Sequence, residues 1–221
     1  MNRLAIFDCD GTLVDSGATI HAALNASFAQ HGFEIPPPSV SRRVIGLSLN
    51  EAMAALLPNE RPERHAALAE DYKRAFMDLR AAGEVEEPLF DGVLELLDSL
   101  EHDGWLLAVA TGKSDRGLKH CLDQHGIHAR FVSLQTADGH PSKPHPSMVE
   151  QAIADAGAAP ETTVVVGDTS FDMAMVVAAK ATGIGAGWGY HEPDELRQAG
   201  ALAVAAQPLD VLRLIAEHVD G

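Results

Sequence analysis

Four short apolar runs set the limits on what this chain can fold into: Leu4–Phe7, Trp105–Ala110, Thr163–Val166 and Thr182–Ala186. Between them lie helix-length segments with apolar residues at three- and four-residue spacing, as in Val93–Leu100, Met148–Ala156 and Phe171–Ala179, and a last one, Leu209–Val219, closes the chain. Continuous apolar runs read as strands buried on both faces, and strands alternating with helices predict a parallel sheet covered on both sides. Phe131–Leu134 adds a fifth strand and Ala201–Ala206 a short edge strand. The predicted fold class is α/β, a doubly wound parallel sheet.

One stretch breaks the alternation. From Ser16 to about Glu86 the pattern is helical, with segments at Ala18–Gln30, Asn50–Leu57 and Glu63–Ala82. Ile35–Ser39 ("IPPPS") reads as a turn or stiff connector, and Gly83–Pro88 ("GEVEEP") as a return linker. The expected division is a core of residues 1–15 and 87–221 with a helical insert at 16–86.

Composition narrows the function classes. At 46% hydrophobic, a chain of 221 residues can bury a core. A net charge of −16 argues against nucleic-acid partners, but small phosphates remain open because a metal ion and one or two cations can reverse the potential locally. No apolar run approaches the roughly 20 residues of a membrane span, and the N-terminal stretch lacks a signal peptide's apolar segment. The two cysteines, Cys9 and Cys121, form neither a disulfide framework nor a zinc pattern. A cytoplasmic protein without membrane contacts, monomeric or homodimeric, is expected.

The chemistry gathers at the predicted strand ends, which parallel strands bring to one edge. Strand one ends in Asp8-Cys9-Asp10-Gly11-Thr12, strand two in Thr111-Gly112-Lys113-Ser114, and the Val164–Val166 strand in Gly167-Asp168-Thr169-Ser170-Phe171-Asp172. A loop before a helix carries Ser142-Lys143-Pro144-His145-Pro146. Carboxylates and a backbone carbonyl suit Mg²⁺. A lysine and free N–H groups at a helix N-terminus suit a phosphate. A carboxylate between them can attack phosphorus to give an aspartyl phosphate, while a second carboxyl protonates the leaving oxygen and then activates water.

These four motifs, FDCDGTLVDS, VATGK, SKPHP and VVGDTSFDM, resemble in content and order those of the haloacid dehalogenase (HAD) superfamily. The resemblance covers essentially the whole chain, with the helical insert as a C1-type cap, and is nearest the phosphoglycolate phosphatase-like branch. It implies Asp8 as nucleophile and Mg²⁺ ligand. It implies Asp10 as general acid/base, with its backbone carbonyl on the metal. Thr111 and Gly112 would hold the phosphoryl oxygens, and Lys143 would neutralise charge. Asp168 would bind Mg²⁺ directly and Asp172 through water or by orienting Lys143. Asp10 speaks against a dehalogenase, since halide leaves without a proton. Lys73 is the only lysine between Ser16 and Glu86, which speaks against a Schiff-base phosphonatase.

The implied function is Mg²⁺-dependent hydrolysis of a small phosphorylated metabolite. Phosphoglycolate is the first candidate, with a sugar phosphate, nucleotide or pyrophosphate next. A phosphosugar mutase uses the same chemistry, and a non-catalytic binding or regulatory role is the alternative of another class.

Several features carry less. Ala110–Ser114 ends like a P-loop but has Leu107 where that motif needs glycine. Gly183-Ile184-Gly185 lacks the third glycine of a dinucleotide fingerprint, because Trp188 stands there. His120, His125 and His128 read as a polar helix and turn, Cys9 as an apolar filler facing away from the acids, and Ser114 as a helix N-cap. For specificity the candidates are Arg42 and Arg43 in the insert, as bidentate readers of a carboxylate or second phosphate. Trp188 and Tyr190 either line the cleft or pack the loop.

Overall fold

The computed structural model describes residues 2–218. Six strands form one sheet in the order β3-β2-β1-β4-β5-β6. They are β1 (Asn2–Phe7), β2 (Trp105–Thr111), β3 (Phe131–Thr136), β4 (Ala158–Gly167), β5 (Thr182–Ala186) and β6 (Ala203–Ala205). Every neighbouring pair is parallel. The order runs outward from β1 in both directions, so the chain switches sides between β1 and β4, where doubly wound sheets open a crevice at their carboxyl ends.

Strand alternation divides the core into two layers. Ala5, Phe7, Cys9, Leu107, Val109, Val164 and Val166 pack on one face of the sheet. There they meet α5 (Val93–His102), α6 (Asp115–Gln124) and α10 (Asp210–His218). Leu4, Ile6, Ala108, Ala110 and Val165 pack on the other face, against α7 (Ser147–Ala156) and α8 (Ser170–Ala179). Odd and even positions of one strand thus bury in opposite directions. Cys9 falls on the first face, away from the even-numbered acids, as its position predicts.

Between β1 and α5 the chain is helical: α1 (Gly17–Gln30), α2 (Pro38–Ser41), a 3₁₀ turn at Arg42–Val44, α3 (Leu49–Leu56) and α4 (Pro62–Ala82). Proline at the first positions of α2 and α4 starts each helix, and Gly83 in the left-handed region ends α4. This module has its own apolar cluster, built on Leu24, Phe28, Met53, Leu68 and Tyr72. The connector expected at Ile35–Ser39 runs into α2, because a proline at N1 favours the helix it begins. The strand expected from Thr163 begins at Ala158, with a register irregularity between Asn2 and Leu4 of β1 accommodating the extra length. A further short helix, α9 (Pro193–Gln198), lies between β5 and β6. The last helix was expected to reach Val219, which lies outside the described residues.

Among the described residues no helix is long and apolar enough to cross a membrane. Leu97 in α5 is fully buried, so Leu97→Ala is expected to cost about 2–5 kcal/mol of unfolding free energy in a urea titration. Val132, half exposed on β3, should lose less than about 0.5 kcal/mol on the same change.

Candidate active site

The site sits at the strand tips flanking the β1/β4 switch. The Asp8 amide donates to the Val166 carbonyl at 3.0 Å, which carries the ladder one residue past β1. The loop then turns at Gly11, whose φ is +86°. A Cβ there would lie 2.2 Å from Oδ2 of Asp168, so this turn needs glycine for both its backbone and its packing.

Asp8, Asp168 and Asp172 are all but fully buried, and one carboxylate oxygen from each lies within 4.8 Å of the others. The Lys143 ammonium, also buried, stands 2.9 Å from Asp8 Oδ1 and 2.6 Å from Asp172 Oδ1. Asp168 accepts from Thr12 Oγ1 and from the Tyr190 amide, each at 2.9 Å. Asp172 starts α8: its Oδ2 accepts from the Thr169 amide and hydroxyl, while Thr169 Oγ1 accepts from the Asp172 amide. Asp8 Oδ1 also accepts from the Cys9 amide at 2.7 Å, but Asp8 Oδ2 is buried with no hydrogen-bond partner.

Burial dominates the electrostatics. It pushes Asp8 up to about 7, with Lys143 pulling down and Asp172 and Asp10 pushing further up. Asp168 is raised for the same reason, helped by the Asp8 and Asp172 charges. For Lys143, burial favours the neutral amine, but the Asp172 and Asp8 carboxylates outweigh it and hold the ammonium above the usual lysine range. One ammonium cannot balance three ionised carboxylates, which is why Asp8 and Asp168 are pushed towards their protonated forms. Hard oxygen donors and an orphaned carboxylate oxygen in one pocket fit a divalent cation such as Mg²⁺.

The Asp10 carboxylate stands apart from this trio. Its Oδ1 accepts from the Ser16 hydroxyl and lies 2.8 Å from Lys113 Nζ. Thr111 is buried at the end of β2, and its Oγ1 accepts from the Lys113 amide at 3.3 Å. Gly112 lies under the helical module. A Cβ there would sit 2.7 Å from the carbonyl oxygens of both Gly46 and Leu47, and the Ser48 amide donates to Ser142 Oγ at 2.9 Å. Residues 46–48 of the module therefore seat directly on the core loops, over a cleft of about 570 Å³ that Asp10, Gly112 and Lys113 line from the core side.

The two arginines expected to read the substrate do not line this cleft. The 3₁₀ turn Arg42–Val44 turns Val44 inward and leaves Arg42 and Arg43 exposed. Arg43 instead pairs with Glu195 of α9 at 2.6 Å, which holds that carboxyl at about 2. The cations that do reach the cleft include Lys113 and Arg80, which sequence reasoning missed. Lys113 stands in the VATGK motif, where the sequence gives it no role beside Thr111 and Gly112. Its ammonium bridges Asp10 and Glu87, the latter at 2.6 Å. Burial favours its neutral form, but Asp10 and Glu87 are among the groups that hold it charged.

Trp188 and Tyr190 brace the first loop rather than line the cleft. Trp188 Nε1 donates to the Thr12 carbonyl, and the Tyr190 hydroxyl accepts from the Ser16 amide and donates to Asp15. His191 Nδ1 accepts from the Ser170 amide at 3.2 Å. Ser114 caps α6, accepting from the Gly117 amide.

Residues 5–187 match the sequence profile of the Haloacid dehalogenase-like hydrolase family. The chain belongs to that family. Among its relatives, "Probable phosphatase IndB" of Dickeya dadantii is 36% identical over 203 residues, covering 90% of this chain and 87% of that protein. "Tyrosine-protein kinase PtkA" of Mycobacterium tuberculosis is 30% identical over 96% of this chain and 71% of its own. "Phosphoglycolate phosphatase 1" of Pseudomonas aeruginosa is 33% identical over 82% of this chain and 67% of its own. A crystal structure of a hydrolase from Pseudomonas syringae superposes with a TM-score of 0.86 at 27% identity, covering 99% of this chain and all of that one. The chain is thus a haloacid dehalogenase-like hydrolase with a parallel sheet core.

The raised carboxyls have a pH signature. Folded Asp8 keeps its proton up to about pH 7, whereas the unfolded group loses it near 3.8. Between those values the folded group binds more protons, so Asp8's contribution makes unfolding free energy fall as pH rises and level off above about 7, and the raised Asp168 adds a fall of the same sign. Melting temperatures in EDTA should drop across this window in the wild type, and the Asp8→Asn variant should show a shallower drop.

Proposed function

We propose that this hydrolase cleaves small phosphate monoesters through an aspartyl phosphate on Asp8. The observation that carries this reading is the state of Asp8. One oxygen is fixed by Lys143 and the Cys9 amide, and the other is buried, unpartnered and set among the acidic trio. A carboxylate oxygen freed of hydrogen bonds and held out of water is a competent nucleophile.

Asp8 Oδ2 attacks phosphorus, and the bond from phosphorus to the ester oxygen breaks. Asp10 delivers a proton to that leaving oxygen, then takes one from the water that hydrolyses the phospho-Asp8. Lys143, Thr111 and the Gly112 N–H bind the phosphoryl oxygens as charge spreads over them. Mg²⁺, held by Asp8, Asp168 and the Asp10 main-chain carbonyl with Asp172 acting through Lys143 or water, would supply compensation for the crowded negative charge. The helical module acts as a cap over the cleft and excludes bulk water while the intermediate stands.

A cleft of about 570 Å³ suits a small metabolite. Phosphoglycolate is the leading substrate, supported by the relatives that carry that activity in their names.

Phosphate release from a panel of phosphoglycolate, sugar phosphates, nucleotides and pyrophosphate, run with Mg²⁺ and with EDTA, tests this. Turnover should require Mg²⁺ and fall about a thousandfold or more in Asp8→Asn with the fold retained. Activity that survives both treatments would sink the mechanism. Independently of turnover, Mg²⁺ at roughly 100 times its Kd should raise the melting temperature by about 5–10 °C; overlapping curves with and without metal would remove the cation from the site.

A further inference from the structure

In a strongly negative chain, the side chains that line the cleft carry more cations than carboxylates. Its lining carries five cationic side chains, Lys73, Arg74, Arg80, Lys113 and Arg116, against three carboxylates, Asp10, Glu70 and Asp138, although the chain as a whole has a net charge of −16. Most of these cations lie towards the rim or pair locally: Lys73 with Glu70, and Arg74 with Asp71. Two do not. Lys113 from the core and Arg80 from α4 converge on Glu87 in the return segment, with Phe76 beneath both at 5.8 and 5.2 Å from its ring centre. The ring and the carboxylate hold two like charges in place.

The pairing within this cluster is unequal. Lys113 contacts Glu87 Oε1 at 2.6 Å, whereas Arg80 Nη2 approaches Glu87 Oε2 only to 3.7 Å, beyond hydrogen-bond length. Arg80 Nε and Nη2 are both buried without a hydrogen-bond partner, as is Glu87 Oε2. Buried donors without acceptors are costly and uncommon. Nε and Nη2 form one edge of the guanidinium fork, the geometry that receives two oxygens of one oxyanion.

We infer that Arg80 and Lys113 form a subsite for a second anionic group of the substrate, a carboxylate close to the phosphate ester, with Glu87 as the positioning residue that holds both cations. This rests on the phosphatase reading for its substrate, and it replaces Arg42 and Arg43 as the readers of that charge. Distance limits the ligand. Asp10 must touch the leaving oxygen, and Lys113 Nζ lies 2.8 Å from Asp10 Oδ1. The ammonium therefore lies within roughly 5–7 Å of the leaving oxygen, the span of two hydrogen bonds and a carboxylate. An acid group two or three bonds beyond the ester oxygen reaches it, and a long sugar or nucleoside does not place one there.

Calorimetric titration with inert ligands separates this inference from the catalytic one. 3-Phosphonopropionate, its neutral amide and propane-1,3-diphosphonate cannot be hydrolysed, and all are titrated in Mg²⁺. The wild type should bind 3-phosphonopropionate at least tenfold more tightly than the amide. Arg80→Met should bring that ratio to within about twofold, and Arg80→Lys, which keeps the charge but loses the fork, should fall between. Thermal melts confirm that each variant is folded, and the wild-type comparison needs no variant. Equal wild-type affinity for acid and amide, or a ratio unchanged in folded Arg80→Met, overturns the subsite. Tighter binding of the diphosphonate than of the acid keeps the anion subsite but overturns the carboxylate. A retained acid preference in a protein that hydrolyses no ester leaves the subsite standing and removes the phosphatase reading instead.

Discussion

The acidic edge of the sheet is organised around one buried ammonium. Among the described residues Lys143 is the only cation in direct contact with the trio of carboxylates, and it touches two of them, Asp8 and Asp172, at hydrogen-bond distance. Breaking such a pair by removing one member leaves a buried charge without compensation, typically at several kcal/mol. The rest of the local structure keeps this cluster from relaxing. Thr12 and the Tyr190 amide hold Asp168, the Cys9 amide holds Asp8, and Trp188 and Tyr190 clamp the loop that carries them. The protein thus maintains charge crowding that solvent would otherwise dissipate.

The sheet makes this possible by separating stability from chemistry. Over the last residues before the tips, 4–7 of β1, 107–110 of β2 and 164–166 of β4, every side chain is apolar and buried in one of two layers. Polar function begins only where the ladder ends, at Asp8, Thr111 and Asp168. The helical module adds a second surface of a different kind, an apolar cluster of its own with a loop of bare carbonyls presented to Gly112. The cleft lies where these two surfaces face each other.

Much of this was legible in the sequence, and for local reasons. Continuous apolar runs marked the strands, and the catalytic motifs are short stretches whose own backbone places them at strand ends. Cys9 followed from strand alternation and the Ser114 cap from its side chain. What could not be read was long-range docking. Lys113 reaches Glu87 across 26 positions and Asp10 across the sheet, and Arg80 joins them only because α4 packs over the core. Arg42 and Arg43 looked like the natural anion readers because they are adjacent cations in the insert. A 3₁₀ turn rather than a continued helix decides where their side chains go, and it turns them towards α9 and solvent. Tyr190 is similar: the chain alone left open whether it lined a cleft or braced a loop, and only its hydroxyl's contacts with Ser16 and Asp15 decide.

Asp172 joins two tasks that proteins usually assign to separate residues. Through Oδ2 it closes the capping box that begins α8, and through Oδ1 it holds the ammonium beside Asp8. The first turn of α8 and the charge arrangement of the site therefore share one side chain. A change at position 172 would disturb the start of α8 and the seating of Lys143 beside Asp8 at once.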